Sequence, residues 1–353
     1  MSTQRVVITP RARNLVSGLG SFLLALLVIV GGIPRPGAAR AAAPQEGVPR
    51  PPQAAPAPPQ QPSPPPPGGG YRLRRDVNLV VLYASVVDDK GNFIPNLQED
   101  NFRVYEDKVE QKLSVFRRED VPVTLGLVVD NSGSMRDKRA KVNAAALTFV
   151  ETSNRQDEVF VVNFNDEFFL DLDKDFTSDI KELREALERV DSRGGTALFD
   201  ALIGSMDHLK KGTRDKKALL VITDGVDNAS RRTLQADIEE AHKTGTLIYA
   251  VGLLDEEEKA KARQGKRDLE RLATETGGMA FFPHSVEEVQ AICAEIAHDL
   301  RNQYVIAYYP TNTAKDGTFR SVKVDLVRPP QHSRKLLVRT RLGYYAPKAS
   351  SGD

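Results

Sequence analysis

Four near-continuous apolar runs constrain this chain more than anything else in it. "VTLGLVVD", "DEVFVVNF", "KALLVIT" and "TLIYAVGL" follow one another between Pro122 and Leu254, each about the length of a strand. A strand with one face in water alternates apolar and polar residues, whereas one covered on both faces reads as an unbroken apolar run. Helical stripes lie between and after them: Ile180, Leu183, Leu187 and Val190, then Val286, Val289, Ile292, Ile296 and Leu300. Strands alternating with helices predict an α/β fold over residues 122–300. Its core is a doubly wound, mainly parallel sheet with helices on both faces.

The flanks follow a different period. In 71–121, "VNLVVLYASVVDDKGNFIP" reads as a strand, a turn around Asp88–Gly91 and a return, and "DNFRVYEDKVEQKLSVFRR" alternates through Phe102, Val104, Leu113 and Val115. In 301–347, alternation resumes along Val322, Val324 and Leu326, then Leu336, Val338 and Thr340. Neither flank has enough strands to bury a core alone. The two are therefore expected to pair as one small β module built from both ends of the chain. Tyr308, Tyr309, Tyr344 and Tyr345 are read as packing within it.

The beginning of the chain is an address rather than a fold. Arg5, Arg11 and Arg13 precede an uncharged stretch whose densest part is "FLLALLVIV", and A-x-A patterns end at Ala41 and Ala43. Basic, then apolar, then small residues is the order of a secretory signal. The uncharged span is also nearly long enough to cross a bilayer. Residues 1–43 are thus a signal peptide or a membrane anchor, and either reading places the rest outside the cytoplasm: periplasmic, secreted or envelope-associated. Residues 44–70, "PQEGVPRPPQAAPAPPQQPSPPPPGGG", read as an extended Pro-rich disordered linker. The single cysteine, Cys293, excludes an intrachain disulfide framework and is read as a buried, inert thiol. A net charge of +1 gives no bulk attraction to nucleic acid.

Chemistry concentrates where the apolar runs stop. Asp130 ends the first run and is followed by Ser132 and Ser134, spaced around Gly133; Asp224 ends a second run in "LLVITDGVDN"; Thr196 follows two glycines before a helical segment. Open α/β sheets bind ligands at the carboxyl ends of their strands, where the strand order reverses. Three loops on one rim would then offer Asp130, Ser132, Ser134, Thr196 and Asp224. All five are hard oxygen donors, with no His or Cys nearby, which disfavours zinc and copper and suits Mg2+ or Mn2+ completed by water. Three of the five are neutral hydroxyls, so the ion would stay electrophilic and accept a carboxylate from outside.

"DNSGS" with Thr196 and "TDG" resembles the metal-ion-dependent adhesion site (MIDAS) of the von Willebrand factor type A (VWA) domain, a Rossmann-like fold. The flanking "DDKGNFIPNLQEDNFRVYEDKVEQKLSVF" and "RLGYYAP" look like the exported group called VWFA-related acidobacterial proteins. The resemblance implies divalent-metal-mediated adhesion, with a protein ligand presenting an acidic residue and without catalysis. By it, Ser132, Ser134 and either Thr196 or Asp224 coordinate directly, and Asp130 acts largely through water. One alternative is a structural scaffold whose metal site binds no ligand. Another, a phosphohydrolase of the haloacid dehalogenase type, needs a second Asp two positions after the first as general acid; that position is Ser132. None of the five histidines, His208, His242, His284, His298 and His332, lies in a recognisable catalytic motif. The charged stretch from Asp255, "DEEEKAKARQGKRDLERLA", is read as a solvated helical excursion leaving the metal rim.

Overall fold

The computed structural model describes residues 79–89, 91–189, 191–254, 258–327 and 335–349. The readings of residues 1–43 and 44–70 fall outside them, as does Val190. Among the described residues no helix is long and apolar enough to cross a membrane.

The chain first lays down β1 (Val80–Val87), β2 (Phe102–Glu106), β3 (Val109–Gln111) and β4 (Leu113–Arg118). It turns between the first two at Gly91, whose N–H donates to the Asp88 carbonyl at 3.0 Å. The α/β region follows: β5 (Val123–Asp130), α1 (Arg139–Glu151), β6 (Glu158–Phe164), β7 (Phe168–Leu170), α2 (Ile180–Glu188), α3 (Leu198–Leu209), β8 (Lys216–Thr223), α4 (Leu234–Thr244), β9 (Thr246–Gly252), α5 (Lys259–Thr276), β10 (Ala280–Phe281) and α6 (Val289–Asn302). The chain closes with β11 (Tyr304–Tyr308), β12 (Phe319–Leu326), β13 (Leu337–Arg339) and β14 (Gly343–Tyr345).

The central sheet has the order β10-β9-β8-β5-β6-β7. All its pairings are parallel except β6 with β7. All eight residues of β5 are buried, as its unbroken apolar sequence requires. Leu125, Leu127 and Val129 face a core shared with α1, α2 and α6. Val128 faces the opposite core, shared with α3, α4 and α5. Gly126 faces this second side too: a Cβ there would lie 2.5 Å from the Phe160 ring and 2.6 Å from a Leu219 methyl. The chain leaves β5 for β6 on one side and later returns to β8 on the other. The crevice between the ends of β5 and β8 is therefore the switch point of the sheet.

Both flanks contribute to each of two further sheets, β13-β1-β11-β4 and β14-β12-β2-β3. Their pairings are antiparallel. They share a core of Val80, Leu82, Ala84, Phe102, Val104, Tyr304, Ile306, Tyr308, Val322 and Val324. Each flank thus supplies the strands the other lacks, the small module expected from their alternation. Of the four tyrosines assigned to packing, Tyr308 is fully buried and its hydroxyl donates to Glu106 at 2.8 Å. Tyr344 donates to the same carboxylate at 2.9 Å. Tyr309 departs from the expectation: it is 54% exposed.

Two helices also differ from their sequence reading. The final stripe begins with a single 3-10 turn, Val286–Glu288, before α6 starts at Val289. The buried face of α6 is Val289, Cys293, Ile296, Ala297 and Leu300, with Ile292 only half-buried at its edge. Burial pushes the Cys293 thiol up to about 12, so it is inert. The charged stretch after Asp255 is no simple solvated excursion. From Lys259 onward it lies in the 18-residue α5, which packs Leu269 and Leu272 into the second core, and only its polar side is solvated. Leu269 and Leu272, at helical spacing among charges, carried that signal.

Candidate metal centre

The strand ends bring the predicted residues to one place. Asp130, the last residue of β5, is fully buried, and both of its oxygens are held. Oδ1 accepts the Ser132 N–H at 2.7 Å, and Oδ2 accepts the hydroxyl of Thr223, at the end of the neighbouring β8, at 2.6 Å. Burial pushes its pKa up to about 6, with the charge of Asp224 adding to the rise and these hydrogen bonds opposing it.

Beyond Asp130 the chain makes one 3-10 turn, Gly133–Met135, pinned by the buried Met135. This turn points two hydroxyls the same way. Ser132 Oγ and Ser134 Oγ lie 3.1 Å apart, and Ser134 Oγ donates to Asp224 Oδ1 at 2.8 Å. The other Asp224 oxygen accepts from Lys138 Nζ at 2.5 Å.

Thr196 reaches the same rim through backbone contacts. Gly194 adopts φ +74, a conformation L side chains disfavour, and a Cβ there would collide with Asp166 at 1.9 Å. The turn lets the Gly194 carbonyl accept the Gly133 N–H at 3.2 Å and the Arg193 N–H donate to the Asn131 carbonyl at 2.9 Å. Asp166 accepts the Gly195 N–H at 2.7 Å and Asn228 Oδ1 accepts the Thr196 N–H at 3.0 Å. Thr196 is 3% exposed, and its Oγ1 would lie 3.1 Å from a Cβ placed on Gly225, next to Asp224.

Sequence reasoning missed the supporting residues. Thr223 orients Asp130, Asp166 and Asn228 position the Thr196 loop, and Lys138 neutralises Asp224. Asp166 and Asn228 act across 29 and 32 residues of sequence, so no local pattern announces them. Arg139 also went unread. It is 9% exposed and donates to the carbonyls of Asp130 and Leu187 and to the Asn163 side chain, fixing the end of β5 from beneath.

Among the described residues no three His, Cys, Asp or Glu side chains are grouped to hold a metal ion. A cation at this rim would need the hydroxyls as well as the two carboxylates. The oxygens suit that role: an octahedral Mg2+ with bonds of about 2.0–2.1 Å sets neighbouring oxygens roughly 2.9 Å apart. The Ser132–Ser134 and Ser134–Asp224 separations, 3.1 and 2.8 Å, are those of the hydrogen bonds that join these groups, and they lie near that value. By donor chemistry, hard oxygens alone, the residues present fit a small divalent ion.

Comparison with known proteins agrees on the domain. Residues 125–295 match the model of the von Willebrand factor type A domain. An uncharacterized protein of Synechocystis sp. is 28% identical over 129 residues, which are 36% of this chain and 29% of that protein. The chain thus matches under a third of that curated relative's length. Among solved structures, the vWF domain of the type V pili tip protein Mfa5 from Porphyromonas gingivalis is 15% identical. That likeness covers 51% of this chain and 95% of that one, with a TM-score of 0.42. A von Willebrand factor type A structure from Catenulispora acidiphila is 13% identical over 73% of this chain and 76% of that one, with a TM-score of 0.43. The family match stops short of both β flanks. With the switch-point sheet, its two helical layers and this matched span together, residues 125–295 of the chain are a von Willebrand factor type A domain.

Proposed function

We propose that this chain is an exported binding module that grips a protein partner through a divalent cation, without catalysing a reaction. The cation is Mg2+ or Mn2+, held directly by Ser132, Ser134 and either Thr196 or Asp224, with Asp130 acting from behind through water. When bound, the ion supplies a Lewis-acidic site for a carboxylate of an acidic residue on the partner. The observation that carries this reading is the run of oxygens from Ser132 through Ser134 to Asp224, at 3.1 and 2.8 Å, in the crevice between β5 and β8.

Retention of partners from the native envelope tests it. The immobilised chain is expected to hold a protein partner in Mg2+ and to release it when a chelator is added. Retention unaffected by the chelator would favour the scaffold reading.

Export rests on the N-terminal sequence. Mass spectrometry of the expressed protein is expected to find a new N-terminus after Ala41 or Ala43. An intact Met1 on membrane-bound protein would make residues 1–43 an anchor instead.

A further inference from the structure

Two neighbouring cations at the start of α1 serve the candidate centre in different ways. Arg139 is 9% exposed and bound to three acceptors, two of them main-chain carbonyls. Lys138 has one side-chain partner, Asp224 Oδ2, and its side chain is 33% exposed, whereas that of Asp224 is 1% exposed. The Lys138 backbone is fixed: its N–H donates to Met135 at 2.9 Å, and its carbonyl accepts from Lys141 and Val142. With its backbone held, only the part-exposed side chain is left to move.

A carboxylate as buried as Asp224 needs a positive partner. Ser134 occupies one of its oxygens and the Lys138 ammonium the other. A divalent ion coordinated by Asp224 would take over that neutralisation, and an ammonium left in place would repel it.

We propose that Lys138 is a tethered cation that stands in for the metal at Asp224 and must swing out to the rim before the metal binds. It keeps the site folded without the ion and lowers the affinity for it, and so acts as the residue that sets the metal threshold. This rests on the metal-binding reading above.

The test compares the metal-stripped full-length chain with Lys138→Met, Lys138→Gln and Lys138→Arg, titrated with Mg2+ and Mn2+ by calorimetry and melted without metal. Loss of one competing charge at a largely buried acceptor is expected to tighten metal binding about tenfold in Lys138→Met and Lys138→Gln. Both should melt below wild type without metal and gain more in melting temperature when metal is added. Lys138→Arg, which keeps a charge, should bind metal within a few-fold of wild type. Wild type binding metal with both neutral variants equal or weaker would overturn the latch and leave the metal site standing. Binding only in the neutral variants would support the latch in its strongest form. Absence of binding in every variant would overturn both readings.

Discussion

Replacing Asp237 with asparagine is expected to stabilise the protein at neutral pH by on the order of 4 kcal/mol, and by almost nothing near pH 4. Asp237 lies on the buried face of α4, fully inaccessible, and neither of its carboxyl oxygens has a hydrogen-bond partner. Burial raises its pKa from 3.8 to about 9, with the charges of Asp227 and Asp200 adding to the rise and Arg232 opposing it. The unfolded chain releases this proton near pH 4, but the folded chain keeps it until about pH 9. Between those values the folded state binds more protons than the unfolded one, so rising pH favours unfolding at up to about 1.4 kcal/mol per pH unit. Asparagine has the same shape and does not titrate, so the gap between variant and wild type should widen steadily from pH 4 to pH 8. Urea unfolding across that range measures it. A gap that does not change with pH would show that Asp237 is ionised in the fold.

The second large effect lies beneath the rim that carries Asp130. Arg139→Met is expected to destabilise the protein by about 3–5 kcal/mol, the range for removing one partner from a buried charged network. Nη1 donates to the Asp130 carbonyl at 3.2 Å, and Nη2 donates to the Leu187 carbonyl at 2.6 Å and to Asn163 Oδ1 at 3.3 Å. Asn163 in turn donates to Asp171 at 2.6 Å and to the Ala186 carbonyl at 2.9 Å. One guanidinium thus joins β5, β6 and the end of α2. Methionine would take this donor from the Asp130 carbonyl and Asn163 Oδ1, leave the Leu187 carbonyl only the Asn143 amide at 3.3 Å, and leave the buried Asp130 without this cation. Lysine should not rescue, because one ammonium cannot reach two directions with fixed geometry. A lower urea midpoint with an unchanged slope is the expected result. A loss below about 1 kcal/mol would mean that the network reorganises around the gap.

Apolar order made the fold legible, and buried charge hid part of the site. Runs such as "VTLGLVVD" can satisfy their backbone and bury both faces only in a covered parallel sheet, so the α/β core follows from them directly. The sparse strands of the flanks led to the shared sheets for the same reason, since each lacked a partner. Asp130, Ser132, Ser134, Thr196 and Asp224 could be picked out because each stands where an apolar run or a glycine pair ends. Arg139, Lys216 and Asp237 could not. Hydrophobic pattern places charged residues at the surface by default, yet Lys216 is 2% exposed. Its ammonium donates to the Leu300 carbonyl at the end of α6 at 2.5 Å and lies 5.0 Å from the Tyr83 ring centre. Burial lowers its pKa to about 8. Such residues are fixed by acceptors far away in sequence, and only the assembled fold brings those acceptors near.

The proposed metal site is tested most directly by calorimetric titration of the metal-stripped chain with Mg2+ or Mn2+. Wild type should show one site, and Asp130→Ala should show none while its circular dichroism spectrum stays that of wild type. The loss follows from position. Asp130 ties the Ser132 backbone to the end of β8 through hydrogen bonds of 2.7 and 2.6 Å, and it is the charge behind the hydroxyls. If Asp130→Ala binds the ion as tightly as wild type, the oxygens gathered between β5 and β8 are not a metal site.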